Sequence, residues 1–383
     1  MDIDRTALLD ALRELVRIDS VNPVLCAGGA GEGEIAAWVA GRLRDLGLET
    51  RVHEPVPGRP SVVGRLAGTG DGRSLMLYAH ADTVGVEGMA DPFGAEVRDG
   101  RLYGRGAYDM KGGLAACLEA AAALRRSGAR LAGDVLVAAV ADEEAASLGM
   151  EDLLRRLRPD GAIVTEPTGL DICLAHKGFA WIEVEVEGRA AHGSRPAEGR
   201  DANLMMGRFL AALADLEAEL GTRPPHPLVG APSLHVGTLA GGSAPSVYAA
   251  RCRAVVERRT LPGETPDAVV AEIRGVADRV ASEVAGFSAE IRARLDRPPF
   301  EAAPESELLG ALEKAAEPVL GRAPERRGEG PWMDSALLAA AGVDTVVFGP
   351  AGDGAHADEE WVDASSVVAL AEVLARTAAA YCA

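Results

Sequence analysis

The chain is short of cysteine and of long apolar runs, and each shortage excludes a class of protein. Its five cysteines are scattered and form no CxxC pair, which excludes a thiolate metal site and fits a reducing compartment. No apolar stretch approaches the roughly 20 residues that a membrane-spanning helix needs. The first segment, MDIDRTALLDALRELVRIDS, carries acids where a secretory signal is basic, and its leucines fall at helical spacing. We therefore expect a cytoplasmic protein.

Positive charge is scarce as well. The 39 Lys and Arg residues face 58 Asp and Glu residues, so the formal net charge is −19. Nucleic-acid binding relies on clustered Lys and Arg, and anionic membranes attract basic segments. The charge therefore argues against both kinds of partner and leaves small substrates or other proteins.

The length of 383 residues suits two domains. Short apolar runs separated by helical patterns predict the parallel strands of an α/β sheet. Four such runs stand out: SLMLYAH (74–80), DVLVAAV (134–140), GAIVTEP (161–167) and DTVVFGP (344–350). Helical patterns follow Gly113, Ser147 and Trp332, and a further one closes the chain.

The stretch 178–294 has a different pattern. FAWIEVEVEGRAAH alternates apolar and polar residues, as a strand with one wet face does, and two helical patterns and two further strand patterns follow it. These elements predict an antiparallel α+β domain inserted into the first domain. We therefore expect a mostly parallel-sheet catalytic domain flanked by helices, formed by 1–177 and 295–383, with the insert at 178–294.

Histidines and carboxylates gather where the predicted parallel strands end. Ligands of open α/β sheets bind beyond the carboxyl ends of the strands, so these side chains should share one edge. Two histidines with several carboxylates and no thiolate suit a pair of Zn²⁺ or similar ions, with a carboxylate as the natural bridge. The residues concerned are His80, Asp82, Asp109, Glu143, Glu144, Glu166 and His356.

Each of these residues has a purely structural explanation when it is taken alone. His80 is then a strand-end histidine, Asp109 a helix N-cap, and the Glu143–Glu144 pair a solvated turn. Only their combination predicts a metal site. Within it, one of the two adjacent glutamates could bind metal while the other takes the proton of an activated water. Asp82 could accept the second ring N–H of His80 and so fix its tautomer.

Seven segments carry a resemblance to a known family. They are AHADTV, GRGAYDMKGG, ADEE, TEPT, AAHGSRP, ERRTLPGE and GAHADEEWV, in this order over nearly the whole chain. The chain resembles the co-catalytic zinc metallopeptidases, which include aminoacylases, acetylornithine deacetylases, succinyl-diaminopimelate desuccinylases and glutamate carboxypeptidases. This resemblance implies two divalent metal ions, with zinc preferred and cobalt or manganese as alternatives.

The resemblance also implies a role for each site residue. His80 and Glu166 would hold one metal, Glu144 and His356 the other, and Asp109 would bridge the two. Glu143 would be the general base, Asp82 the partner of His80, and the Asp109–Met110 peptide would be cis.

The inserted domain would be a lid and dimerisation domain in a homodimer. Its His192 would polarise the scissile carbonyl, often across the dimer, and Arg259 would bind a substrate carboxylate. The structural alternatives are a strand-end histidine and a solvated strand arginine.

The substrate is less well defined by the sequence. Trp332 and Met333 stand where desuccinylases have polar residues, Gly352 where they have Asn, and APSVYAA (244–250) where many relatives have NVVP. These differences argue against succinyl-diaminopimelate. We expect hydrolysis of an N-acyl amino acid, acetylornithine-like or broader, ahead of a glutamate-carboxypeptidase-like or dipeptidase activity on a short peptide. A non-catalytic metal-binding scaffold is the alternative from another class. The Trp–Met pair could line an apolar pocket, although we favour core packing.

Overall fold

The computed structural model of the protein describes all residues from Met1 to Ala383. The chain divides into two compact units. The first consists of Met1–Leu174, Ala302–Arg327 and Met333–Ala383, and the second of Ala175–Glu301 with Gly328–Trp332. No helix is both long enough and apolar enough to cross a membrane.

The elements follow one another in chain order as mixed helices and strands. The helices are α1 (Arg5–Arg17), α2 (Gly33–Asp45), α3 (Gly112–Ser127), α4 (Leu148–Leu154), α5 (Ala202–Thr222), α6 (Pro266–Glu283), α7 (Glu307–Leu320), α8 (Ser335–Ala340) and α9 (Ala364–Tyr381), and a kinked segment at Ala107–Lys111 precedes α3. The strands are β1 (Glu49–His53), β2 (Ser61–Leu66), β3 (Leu75–His80), β4 (Glu96–Arg98), β5 (Arg101–Tyr103), β6 (Val135–Val140), β7 (Gly161–Val164), β8 (Ile172–His176), β9 (Gly178–Glu187), β10 (Ser233–Gly241), β11 (Arg251–Thr260), β12 (Ala289–Arg297), β13 (Phe300–Glu301), β14 (Arg326–Glu329), β15 (Asp344–Val347), β16 (Gly352–Asp353) and β17 (Trp361–Asp363).

The main sheet of the first unit is parallel at its centre. Strands β6, β3, β7 and β15 lie side by side in this order and run parallel, whereas β1 and β2 extend the sheet antiparallel at one side. Every residue of β3 and β6 is buried, so both faces of these strands are covered, as continuous apolar strands require. The predicted α/β class with a mostly parallel sheet is confirmed.

The helices of the first unit cover this sheet through small apolar residues. The alanine-rich α3 is buried from Gly112 to Leu124 and packs against α1 and α9 and against β3 and β6. Helix α2 covers β1 and β2, where Gly64 lets Leu43 approach the strand. A Cβ at position 64 would lie 2.7 Å from Leu43 Cδ2, so helix and strand are packed without spare room.

The second unit is an antiparallel sheet with two helices. Its strands follow the order β10-β11-β9-β12, and β9 alternates buried and exposed residues, as its sequence predicts. Side chains of β9 and β11 form a core with α5 and α6 around the fully buried Phe209. Asp201 and Thr265 cap the two helices by accepting backbone N–H groups, which explains where α5 and α6 begin. The expected α+β insert is confirmed.

A third, smaller sheet had no signal in the sequence. It belongs to the first unit and joins β16, β17, β5 and β4 in antiparallel order, with Trp361 opposite Tyr103. The strands are two or three residues long, too short for an alternating pattern. This sheet fastens the chain before Asp109 to the chain that follows His356.

The contact between Leu43 and Gly64 predicts a coupled pair of substitutions. Leu43→Ala should lower the free energy of unfolding by about 2–5 kcal/mol through the cavity it leaves. Gly64→Ala should cost about 1–3 kcal/mol because its methyl group meets Leu43. The double variant should cost clearly less than the sum, since the new methyl group enters the space that Leu43 vacates. Urea unfolding measures all three, with Leu25→Ala at a 45% exposed leucine as the control; additive costs would contradict the packing described here.

Candidate functional site

The parallel strands deliver the predicted side chains to one edge of the main sheet. His80 is the last residue of β3, Glu143 and Glu144 follow β6, and Glu166 follows β7. The kinked segment Ala107–Lys111 before α3 carries Asp109 in a non-helical conformation, and the loop between β16 and β17 carries His356. Two groups of potential metal ligands result, with all ligand atoms of a group within 4.8 Å of one another. One is His80, Asp109 and Glu166, and the other Asp109, Glu144 and His356.

Asp109 belongs to both groups and lies between the two histidines. Its Oδ1 is 3.1 Å from His80 Nε2, and its Oδ2 is 3.3 Å from His356 Nε2. His356 Nε2 is also 3.1 Å from Glu144 Oε2, and His80 Nε2 is 3.6 Å from Glu166 Oε1. Each oxygen of Asp109 thus faces a different histidine, which is the arrangement of a bridging carboxylate. The Asp109–Met110 peptide is cis, as the resemblance implied.

The cluster holds more negative than positive charge. Burial, together with neighbouring carboxylates, raises the pKa of Glu143, Glu144 and Glu166. Burial alone would also raise the pKa of Asp109, but hydrogen bonds from His356 and His80 lower it. Buried carboxylates without matching positive charge are costly, so the site has a strong electrostatic demand for cations.

The histidines respond to the same imbalance. Burial alone would lower the pKa of His80, yet the charges of Glu166 and Asp109 raise it well above its ordinary value. Hydrogen bonds to Asp109 and Glu144 raise the pKa of His356 to about 10. Positive charge is therefore stabilised at both ring Nε2 atoms, one in each ligand group.

The donor atoms fit divalent metal ions. They are imidazole nitrogens and carboxylate oxygens without a thiolate, a set that suits zinc and similar ions. Glu144 Oε1 is buried and has no hydrogen-bond partner, which is costly for a carboxylate oxygen unless a cation is bound there. Two ligand groups that share Asp109 therefore fit two cations.

Asp82 contacts His80 through its backbone carbonyl, whereas we expected its side-chain carboxylate to make this contact. The backbone carbonyl of Asp82, and not its carboxylate, lies 3.0 Å from His80 Nδ1, whereas Asp82 Oδ1 is 3.7 Å away. The carboxylate instead accepts the backbone N–H of Glu143 at 3.1 Å and that of Glu144 at 3.2 Å. Since these N–H groups have no strand partner, Asp82 fixes the turn that carries both glutamates.

A buried polar network behind this turn was missed by the sequence analysis. Arg59 binds Glu32 with two hydrogen bonds of 2.6 and 2.7 Å and donates to Asp142 Oδ1 at 2.7 Å. Asn22 joins Asp142 to Asp82 through its Nδ2, at 3.0 and 2.8 Å. Asp142 itself has a φ of 71°, a conformation that a non-glycine residue keeps only when its surroundings hold it. Nothing in the sequence places position 59 beside position 142.

The remaining predicted residues lie in the second unit. His192 is exposed, with Nδ1 2.8 Å from Ser194 Oγ and 3.2 Å from the backbone nitrogen of Ser194. Arg259 is about one-third exposed, donates from Nε to Glu257 Oε1 at 2.7 Å, and stands over the ring of Phe179. Trp332 packs edge-on against Phe179 in the same unit, whereas Met333 is buried in the first unit.

Fold and site together define a class, the metal-dependent hydrolases built on a two-unit α/β framework. A family model described as Peptidase family M20/M25/M40 matches residues 76–380. The chain belongs to this family, which confirms the resemblance found in its segments.

Individual relatives match over nearly their whole length. The acetylornithine deacetylase of Myxococcus xanthus is 33% identical over 98% of both chains. A metallo-carboxypeptidase of Sulfolobus solfataricus, Sso-CP2, is 21% identical with a TM-score of 0.80, covering 100% of this chain and 99% of its own. The Bacillus subtilis YXEP protein, a dinuclear metal-binding peptidase, is 17% identical with a TM-score of 0.75 over 99% and 98% of the two chains.

Removal of the Arg59 charge should destabilise the first unit. Arg59→Met leaves two buried carboxylates, Glu32 and Asp142, without their cation and should cost about 3–5 kcal/mol in urea unfolding. The matched control is Arg65→Met, because Arg65 also binds two carboxylates but is 40% exposed, so its loss should cost less than about 1 kcal/mol.

The cost of Arg59→Met should also depend on pH. Burial raises the pKa of Glu32, and Arg59 opposes this rise. Without Arg59 the folded chain binds a proton on Glu32 more tightly than the unfolded chain, so the deficit should shrink as the pH falls from 8 towards 5.5. A deficit that is the same at both pH values would contradict this assignment.

Proposed function

We propose that the protein hydrolyses the amide bond of N-acyl amino acids, with N-acetylornithine or similar acylamino acids as substrates. The observation that carries the proposal is Asp109, whose two oxygens serve two separate ligand groups at the carboxyl edge of the sheet. The acetylornithine deacetylase of Myxococcus xanthus, similar over 98% of both chains, supports the choice of substrate.

In this proposal two divalent cations, zinc in preference to cobalt or manganese, occupy the two ligand groups. His80 and Glu166 hold one, Glu144 and His356 the other, and Asp109 both. When bound, such a pair polarises the substrate carbonyl and lowers the pKa of a water molecule. The surrounding chain keeps the ligand side chains oriented, since the carbonyl of Asp82 faces Nδ1 of His80 and leaves Nε2 for the cation.

Glu143 is the proposed general base. It adjoins Glu144 but belongs to neither ligand group, so its carboxylate is left for proton transfer. Burial raises the pKa of Glu143, which helps its carboxylate to hold the proton taken from the attacking water and to pass it to the leaving amine nitrogen. The hydrogen bond from the Glu143 backbone to Asp82 fixes the position from which the side chain extends.

His192 is proposed to polarise the scissile carbonyl. The backbone N–H of Ser194 donates to Nδ1 of His192, so Nδ1 is an acceptor and the ring N–H is on Nε2. An exposed Nε2–H is a suitable donor to an oxyanion.

Arg259 is proposed to bind the substrate carboxylate. Of its guanidinium nitrogens only Nε has a hydrogen-bond partner in the protein, Glu257, which leaves both terminal nitrogens for two hydrogen bonds to a carboxylate.

We also propose that the protein is cytoplasmic and that two copies pair through the second unit. The exposed apolar residues Leu204, Val236 and Leu239 on α5 and on the edge strand β10 support such pairing, which sedimentation velocity would test.

The general base can be tested by Glu143→Gln. The amide cannot accept the proton, so kcat should fall by about 10²–10⁴-fold while two equivalents of zinc remain bound. Steady-state kinetics and metal analysis measure the two effects, with the exposed Glu305→Gln as the control. An unchanged kcat with full metal content would show that Glu143 is not the base.

The substrate class can be tested with a panel assayed on the zinc-loaded protein. N-acetyl, N-succinyl and N-formyl amino acids should be compared with dipeptides by kcat/KM. We expect the N-acetyl compounds to lead and a chelator to abolish the activity, with recovery on adding Zn²⁺ or Co²⁺. A clear preference for dipeptides would favour the exopeptidase alternative. Uniform inactivity of the loaded protein would contradict the proposal and favour a metal-binding scaffold.

A further inference from the structure

We propose that Arg105 and Glu360 form a positioning pair that sets the geometry of Asp109 and His356. The inference rests on the proposed function, because it assigns these two side chains as cation ligands. Neither Arg105 nor Glu360 belongs to a ligand group, and they are only 3% and 1% exposed. Both are therefore positioning residues that act through the ligands.

Glu360 organises the loop that leads to Asp109. Its Oε1 accepts the backbone N–H of Tyr108 at 2.8 Å and of Asp109 at 2.9 Å. Its Oε2 accepts the backbone N–H of Gly106 at 3.0 Å and Arg105 Nη1 at 2.7 Å. Gly106 has a φ of 79°, which lets successive N–H groups point at one carboxylate. One side chain thus satisfies three backbone donors and fixes the backbone that carries Asp109.

Arg105 extends this control to two other segments of the site. Its Nη2 donates to the carbonyl of Ala357 at 2.9 Å, and Ala357 directly follows His356. Its Nε donates to the carbonyl of Gly85 at 2.9 Å, three residues beyond Asp82. The planar guanidinium therefore donates to three acceptors in different directions, the carbonyls of Gly85 and Ala357 and the carboxylate of Glu360. A lysine ammonium group does not have its donors in this geometry.

The small sheet of β16, β17, β5 and β4 brings Arg105 and Glu360 next to each other. Strand β5 ends two residues before Arg105, and β17 begins directly after Glu360, with Trp361 opposite Tyr103. The backbone N–H of Gly104 also donates to the carbonyl of Glu360 at 3.1 Å. Two segments more than 250 positions apart thereby meet in a fixed register, and the ion pair continues that register to Asp109 and His356.

Charge explains why the pair consists of an acid and a base. A carboxylate alone would satisfy the loop but would add negative charge beside a cluster that already has an excess. Arg105 cancels the charge of Glu360 locally at 2.7 Å, so the cations of the site need not do so.

The test is Glu360→Gln, measured first by cation binding. The amide oxygen can still accept from Tyr108 and Asp109, but the amide N–H₂ then faces Gly106 N–H and Arg105, which are also donors. We expect affinity for Zn²⁺, measured by competition with a chelator, to fall about 10–100-fold. The exposed neighbour Glu359→Gln is the control and should bind as the wild type does.

Kinetics distinguish positioning from general destabilisation. At limiting zinc the Glu360→Gln variant should lose kcat with little change in KM, and saturating zinc should restore most of it. Arg105→Lys keeps the charge but loses hydrogen bonds to three segments, so it should also weaken binding of the cation held by Glu144 and His356 while remaining folded by circular dichroism. Zinc affinity equal to that of Glu359→Gln in folded Glu360→Gln protein would overturn the proposal. Failure of both variants to fold would equally overturn it, since the pair would then be purely structural.

The same measurements separate this inference from the proposed function. If the wild type binds two cations that Glu360→Gln binds more weakly, the positioning role stands even when no acylamino acid is hydrolysed. If both proteins bind zinc equally, the positioning role fails whatever the substrate panel shows.

Discussion

The structure depends on several carboxylates and two histidines that meet at one edge of a parallel sheet, where His80 is fully buried and His356 is half-exposed. Asp109 is the centre of this arrangement, because its two oxygens face His80 and His356 and connect the two ligand groups. Such a concentration of negative charge is unfavourable without cations. Positive charge at this site, on the two histidines or on bound cations, therefore lowers the electrostatic cost of folding.

The surrounding chain meets this constraint with buried ion pairs that keep the ligand-bearing loops in place. On one side, Arg59 neutralises Glu32 and Asp142 next to the turn of Glu143 and Glu144. On the other side, Arg105 neutralises Glu360 beneath the loop of Asp109. In both places a carboxylate accepts backbone N–H groups that have no strand partner. An arginine beside that carboxylate neutralises its negative charge, so it adds little to the negative charge of the site.

The two units differ in the type of sheet that carries their candidate site residues. The first needs rigid strands that end together, and β3 and β6 are buried over their whole length. The second exposes one face of an antiparallel sheet and carries His192 and Arg259 at its surface. The proposed ion ligands thus lie on buried parallel strands and their loops, whereas the residues proposed to contact the substrate lie on the antiparallel unit.

The sequence alone was enough to predict the two kinds of sheet and most side chains of the candidate site. Continuous apolar runs predicted the parallel strands, and alternation at a period of two predicted the antiparallel unit. The strand ends predicted which side chains converge, because the carboxyl ends of parallel strands lie at one edge of the sheet. The tertiary structure decided the rest. It brought Arg59 to Asp142 and Arg105 to Glu360, and it gave the carboxylate of Asp82 hydrogen bonds to backbone N–H groups while His80 Nδ1 lies 3.7 Å from that carboxylate. These contacts join distant segments through single side chains, so no local period records them.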